Sequence, residues 1–275
     1  MKVTVYNCRP FDEKALFEKY AKEFSLELVL CPDAPNLENA ELARGSGCID
    51  IITSKMDREL LKRFADYGVR YVTTRTIGYD HIDLEAAREF GMTVANAPYG
   101  PHGVADYATM LLLMTIRRMK RILQRTEIQD YTLAGIQGRE LKDLTVGVIG
   151  TGRIGRCVLS NLSGFGCKRL AYDLYENEEV KKSGAVYVSL EEMWKQADVI
   201  TLHAPLTEDN YHMIDAKAIA SMKDGVMIVN TARGGLIDTE ALIDGIESGK
   251  IGGAGLDVVE NEFGLYYYDL SLIHI

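Results

Sequence analysis

The chain of 275 residues is 47% hydrophobic and 26% charged and carries a formal net charge of −9, proportions that suit a soluble protein with room for two cores and that argue against nucleic acid as its main partner. Its longest apolar run, around Met110 to Ile116, falls far short of the roughly 20 residues that cross a membrane, and the polar start MKVTVYNCRPFDEK lacks the apolar core of a signal peptide. The five cysteines (Cys8, Cys31, Cys48, Cys157, Cys167) form no CxxC, so reduced thiols in a cytoplasmic protein are expected and no metal site is.

In chain order, residues 1–98 alternate short β-like runs with amphipathic segments. Strands are predicted near Lys2 to Tyr6, Leu26 to Leu30, Ile49 to Thr53, Tyr71 to Thr74 and Thr93 to Ala95, with helices over Glu13 to Phe24 and Asp57 to Tyr67. Such alternation implies a parallel sheet, whose ligands sit at the carboxyl ends of its strands. The Gly45 to Gly47 GSG precedes a strand and reads as a turn. Pro and Gly cluster in NAPYGPHG (Asn96 to Gly103), which places a boundary, and a hinge, between a first domain of 1–98 and a second of 99–275.

The second domain opens on a long helical pattern, Val104 to about Arg125, with Ala108, Leu111, Leu112, Thr115, Met119 and Leu123 on one face. Burial of that face against the second domain or a partner subunit predicts a homodimer through the 104–125 region. Arg117 to Arg125 (RRMKRILQR) reads as a solvated helix end, where cations complement the helix dipole.

The most informative stretch follows a loop over Asp130 to Gly138. In TVGVIGTGRIG (Thr145 to Gly155) an apolar strand runs into Gly150, Gly152 and Gly155, the GxGxxG of a phosphate-binding turn. The first glycine permits the turn, the second lets backbone amides approach a pyrophosphate, and the third lets helix and strand pack closely. Ile154, Val158, Leu159, Leu162 and Phe165 share the helix face, Gly166 ends the helix, and a second strand ends at Asp173. A carboxylate there accepts the ribose hydroxyls and repels a 2′-phosphate, favouring NAD over NADP. Later strands are predicted at Gly184 to Val188, Asp198 to Leu202, Val226 to Asn230 and Ala254 to Val258, separated by helices at Leu190 to Gln196, Ala216 to Met222 and Thr239 to Ser248. The fold class is therefore α/β, a Rossmann-type doubly wound sheet beside a smaller flavodoxin-like one.

At the carboxyl ends of the later strands stand HAP (His203 to Pro205), NTARGG (Asn230 to Gly235) and LDVVENE (Leu256 to Glu262). Arg233, followed by two glycines, can reach into a cleft and present a planar fork to a carboxylate and an adjacent carbonyl.

Together with RTIGYDHID and NAPYGPHGVADY upstream, these motifs closely resemble the D-2-hydroxyacid dehydrogenases, and most of all their D-lactate dehydrogenase group, as far as about Asp269. The resemblance implies reduction of pyruvate to D-lactate by NADH, with larger branched or aromatic 2-keto acids as an alternative and a non-catalytic NAD-responsive binding protein as another. It implies that Arg233 binds the substrate carboxylate and polarises the keto oxygen. Glu262, taken over Glu260, would raise the pKa of a histidine acid. The amides of Ile77 and Gly78, with Tyr99, would hold the carboxylate. Arg153, Ile154, Asp173, Ala204, Pro205, Asn210, Thr231, Ala232, Arg233 and Asp257 would join the three glycines around NAD.

One family feature is absent. The catalytic histidine of the resemblance lies in Pro-His-x-Ala beyond the glutamate, and no such motif occurs; His274 lacks its context, and His81, His102, His203 and His212 read as loop or surface residues. The closing LSLIHI reads as translated adapter sequence, so a C-terminal truncation is expected, and with it weak NAD binding and little turnover.

Overall fold

Short apolar runs alternating with amphipathic helices bury both faces of a parallel sheet, and the chain builds two such sheets. The computed structural model describes residues 1–262 and divides the chain into two units, 1–99 and 100 onward. The readings of LSLIHI and His274 lie outside the described residues.

The first unit contains β1 (Lys2–Val5), α1 (Lys14–Glu23), β2 (Glu27–Leu30), β3 (Cys48–Ile51), α2 (Arg58–Asp66), β4 (Tyr71–Thr74), α3 (Leu84–Glu89) and β5 (Thr93–Asn96). Its strands are all parallel in the order β2-β1-β3-β4-β5, the flavodoxin-like order with a switch between β1 and β3. Tyr6, Ile49, Ile51, Met56, Leu61 and Phe64 are fully buried. Each such side chain contributes roughly 1.5–3 kcal/mol. Asp57 and Asp83 cap α2 and α3 by accepting the amides of Leu60 and Ala86. The sequence pattern missed α3, whose six residues are too few for a period to show.

The second unit contains α4 (His102–Ile116), α5 (Met119–Glu127), β6 (Thr145–Ile149), α6 (Arg153–Ser163), β7 (Lys168–Tyr172), α7 (Glu178–Lys182), β8 (Val186–Tyr187), α8 (Leu190–Gln196), β9 (Val199–Leu202), α9 (Ala216–Ser221), β10 (Val226–Asn230), α10 (Thr239–Glu247) and β11 (Ile251–Leu256). The order is β11-β10-β9-β6-β7-β8, again all parallel. Counted from β6, this is the Rossmann order, with its switch point between β6 and β9.

Three expectations are corrected. The helix predicted over Val104 to Arg125 is two helices, because Arg118 takes a left-handed conformation (φ 55°) and the freed carbonyl of Ile116 accepts the amide of Arg139 instead. Leu123 is consequently 51% exposed, and α5 buries no residue. The basic stretch is more than a solvated end. Arg121 donates to the carbonyl of Gly135, and Arg125 to those of Thr132 and Ala134, so the arginines hold the 130–138 loop against α5. Phe165 is not on the buried face of α6, which ends at Ser163; Val158, Leu159 and Leu162 are buried, whereas Phe165 is 40% exposed.

β11 begins three residues before the predicted strand because its glycines disguise it. A Cβ on Gly255 would stand 2.8 Å from the Thr115 hydroxyl, and one on Gly252 would stand 2.6 Å from the Gly225 carbonyl oxygen. Gly255, with Gly253, lets Leu111 and Thr115 of α4 pack directly on the sheet, which accounts for part of the apolar face read from the sequence.

Candidate active site

At the switch point each motif glycine meets a different environment. Gly150 has φ +89°, and a Cβ on it would stand 2.6 Å from both the carbonyl carbon of His203 and the amide nitrogen of Ala204. The HAP segment is thus pressed onto the glycine turn. A Cβ on Gly155 would stand 1.9 Å from the Gly150 oxygen, so helix and strand touch there. Gly152 differs, having an ordinary φ of −64° and nothing within 4 Å of a Cβ. Neither backbone conformation nor protein packing requires a glycine there, and the backbone is open to approach. No side chain caps α6, and the amides of its first turn have no partner within the helix, so Arg153 and Ile154 present donors to an anion.

Asp173 lies just past β7. One carboxylate oxygen accepts the amide and hydroxyl of Thr151, and the other accepts the amide of Tyr175. Among the described residues it pairs with no cation. The Thr151 hydroxyl also bonds Tyr187, which takes the amide of Asn177 (2.9 Å). Thr151 and Tyr187 were not singled out from the sequence; only the place of Thr151 within GxG hinted at a role.

The remaining cofactor candidates gather at the ends of β9 and β10. Asn210 spends its side chain on the loop itself, accepting the amide of Thr207 and donating to the carbonyl of Pro205. It braces the segment from Pro205 to Thr207. The buried Asn230 side chain accepts the amide of Ala232 and donates to the carbonyl of Arg233, which sets the turn that carries the arginine. The Thr231 hydroxyl and His203 Nδ1 are buried without hydrogen-bond partners among the described residues. His203 is therefore not a surface residue. Its Nε2 meets the Thr201 hydroxyl at 2.9 Å, and burial pushes its pKa down to about 4, so the ring is neutral.

β11 leads into Asp257, whose amide donates to the Asn230 carbonyl and whose carboxyl is pushed up by burial. The segment then folds over the arginine turn. A Cβ on Gly234 would stand 2.2 Å from the carbonyl of Val259. Glu262 accepts the Val259 amide at 3.0 Å. Glu260 has both oxygens engaged by side chains and backbone of this same unit.

In the first unit, Ile77 and Gly78 sit in the loop after β4. Their carbonyls are tied down, by the Asn96 amide and the Thr76 hydroxyl, whereas their own amides have no acceptor among the described residues. Tyr99 is 48% exposed. Arg75, not singled out from the sequence, anchors this loop through ion pairs to Asp50 and Glu13 and hydrogen bonds to the carbonyls of Tyr6 and Asn7.

An open glycine, free helix-start amides, a carboxylate without a cation and a buried unpartnered hydroxyl all fit a dinucleotide, and they define the second unit as a dinucleotide-binding domain. Known proteins give the same result. The NAD-binding domain of D-isomer specific 2-hydroxyacid dehydrogenases matches residues 109–270. An aromatic 2-oxoacid reductase of Clostridium sporogenes is 47% identical over 270 residues, covering 97% of this chain and 81% of that protein. Among solved structures, Escherichia coli D-lactate dehydrogenase superposes with a TM-score of 0.85 at 38% identity, covering 97% of this chain and 86% of its own. Aquifex aeolicus D-lactate dehydrogenase, solved with NAD and lactic acid, gives 0.87 at 34% identity over 99% and 84% of the two chains. The chain belongs to the D-isomer specific 2-hydroxyacid dehydrogenase family, NAD-dependent oxidoreductases. No described helix is long and apolar enough to cross a membrane.

Proposed function

We propose that this protein reduces pyruvate, or a similarly small 2-keto acid, to the D-2-hydroxy acid. The observation that carries the reading is the Arg233 turn, braced by Asn230 from within and covered by the segment that bears Glu262. NADH supplies the hydride. Arg233 binds the substrate carboxylate and polarises the keto oxygen, while the amides of Ile77 and Gly78 and the hydroxyl of Tyr99 take the rest of the carboxylate. Glu262 serves a histidine acid by favouring its protonated form. The Pro-His-x-Ala histidine is not among the 275 residues, so on this reading these residues bind NAD weakly at best and turn over slowly or not at all.

The similarity to D-lactate dehydrogenases supports pyruvate, and the higher identity to an aromatic 2-oxoacid reductase supports a second reading with a larger substrate. Titrating NADH-loaded protein with oxamate, a pyruvate mimic, tests the proposal, and competition by pyruvate against phenylpyruvate decides between the readings. Oxamate binding that survives Arg233→Gln would overturn the role of the arginine. Rapid pyruvate-dependent NADH oxidation by these 275 residues would overturn the expected loss of turnover.

We also propose a homodimer. A groove of about 560 Å³ among α4, α5 and α6 is lined by Met110, Leu113, Met114 and Met119, with Met110 and Tyr107 more than 40% exposed. Sedimentation at micromolar concentration tests it. Free cysteines throughout the described residues support a reducing, cytoplasmic setting.

A further inference from the structure

Glu260 stands two residues before Glu262. Its Oε1 accepts Nε2–H of His212 at 2.6 Å and the Tyr211 hydroxyl at 3.2 Å. Its Oε2 accepts the amide (3.0 Å) and hydroxyl (2.7 Å) of Thr239, at the start of α10. Burial alone would raise this carboxyl, but the bonds from His212 and Thr239 outweigh it and pull the group down to about 2. The side chain is 15% exposed.

His212 works from both ends. Its backbone amide donates to the Gly235 carbonyl at 2.8 Å while its ring holds Glu260, and it does so in a left-handed conformation (φ 53°) that is uncommon outside glycine. Tyr211 stacks on the ring at 3.9 Å, and a Cβ on Gly235 would stand 3.2 Å from the Tyr211 ring. The contacts form a clasp between the arginine turn and the glutamate segment.

We infer that Glu260 is a positioning residue for the reaction: by tying residues 257–262 to His212, Tyr211 and Thr239, it seats that segment on the 232–235 turn and sets where Arg233 and Glu262 stand. The inference rests on the 2-keto acid reading for its catalytic consequence and on the clasp alone for its structural one. Glu260 touches no reacting atom.

The test compares the parent chain with Glu260→Ala and Glu260→Gln in three measurements: NADH affinity, oxamate affinity of the NADH-loaded protein, and amide hydrogen exchange over residues 232–236. Glu260→Ala is expected to weaken oxamate by at least about tenfold, to change NADH affinity less than about twofold, and to accelerate exchange in that turn. Glu260→Gln keeps the shape and most of the hydrogen bonds, and recovers part of both losses. It also carries the test should the alanine variant fail to fold. Unchanged oxamate affinity and exchange in Glu260→Ala would overturn the inference, as would parallel loss of NADH and oxamate binding with a lowered melting temperature in both variants. Accelerated exchange with no oxamate binding by the parent would leave the clasp standing and sink the substrate reading instead.

Discussion

One carboxylate oxygen of Asp173 accepts both the amide of Thr151 at 2.6 Å and its hydroxyl at 3.1 Å. The carboxylate proposed to select the cofactor is thereby fixed to the glycine loop proposed to take the cofactor's phosphates. Glycine turn and strand-end carboxylate form one unit, so on this reading a ribose would meet an acceptor already held in place.

Replacing Asp173 by Ser should therefore act twice, removing the ribose acceptor and loosening the turn. NADH affinity is expected to fall by roughly 10- to 100-fold, the size of a lost hydrogen bond to a charged group. NADPH affinity should rise as the repulsive carboxylate goes. Fluorescence titration with both nucleotides checks this, and an unchanged NADH/NADPH ratio would contradict it.

The motif glycines should separate by variant. Gly152→Ala enters open space and is expected to leave the melting temperature unchanged while weakening NADH. Gly234→Ala meets the Val259 carbonyl and should destabilise the fold by roughly 1–3 kcal/mol in chemical denaturation. A Gly152→Ala protein that melts early would count against an access role for that glycine.

His203 makes stability depend on pH with a definite sign. The unfolded ring takes up a proton near its ordinary 6.5, whereas the folded ring resists until about 4, so between those values the unfolded chain binds more protons. The contribution is fully present above 6.5 and is lost as pH falls toward 4, amounting to at most about 3 kcal/mol. Denaturation curves at pH 7, 6, 5 and 4.5 should show a shallower decline for His203→Phe than for the parent. Parallel curves would show that the imidazole is solvated.

Arg118 sits in the left-handed region at the α4–α5 break, and its side chain makes no hydrogen bond or ion pair among the described residues. Arg118→Gly should stabilise the chain by about 0.5–1 kcal/mol, since glycine adopts that conformation without steric cost. A destabilised variant would mean that the break is held by its side chain.

Much of the site was legible because its signals are local. An apolar strand followed by GxGxxG states its own turn, and Asp173 follows at the end of the next strand whatever packs around it. The Glu260 and Glu262 pair shows the opposite case. Nothing in VVENE announces that Glu260 is bonded by His212, Tyr211 and Thr239, which arrive from distant parts of the chain.

Alternating apolar runs and helical periods determined by themselves that this chain forms parallel sheets with helices on their faces, because burial on both faces demands that pattern. They also determined that the chain carries a dinucleotide-binding domain, because a glycine turn and a strand-end carboxylate are properties of a few adjacent residues. Tertiary structure alone decided the break at Arg118, the burial and neutrality of His203, the engagement of Asn210 within its own loop and the seating of the Glu262 segment on the Arg233 turn. Each depends on which donors and side chains meet across long sequence separations, and spacing along the chain carries no record of those meetings.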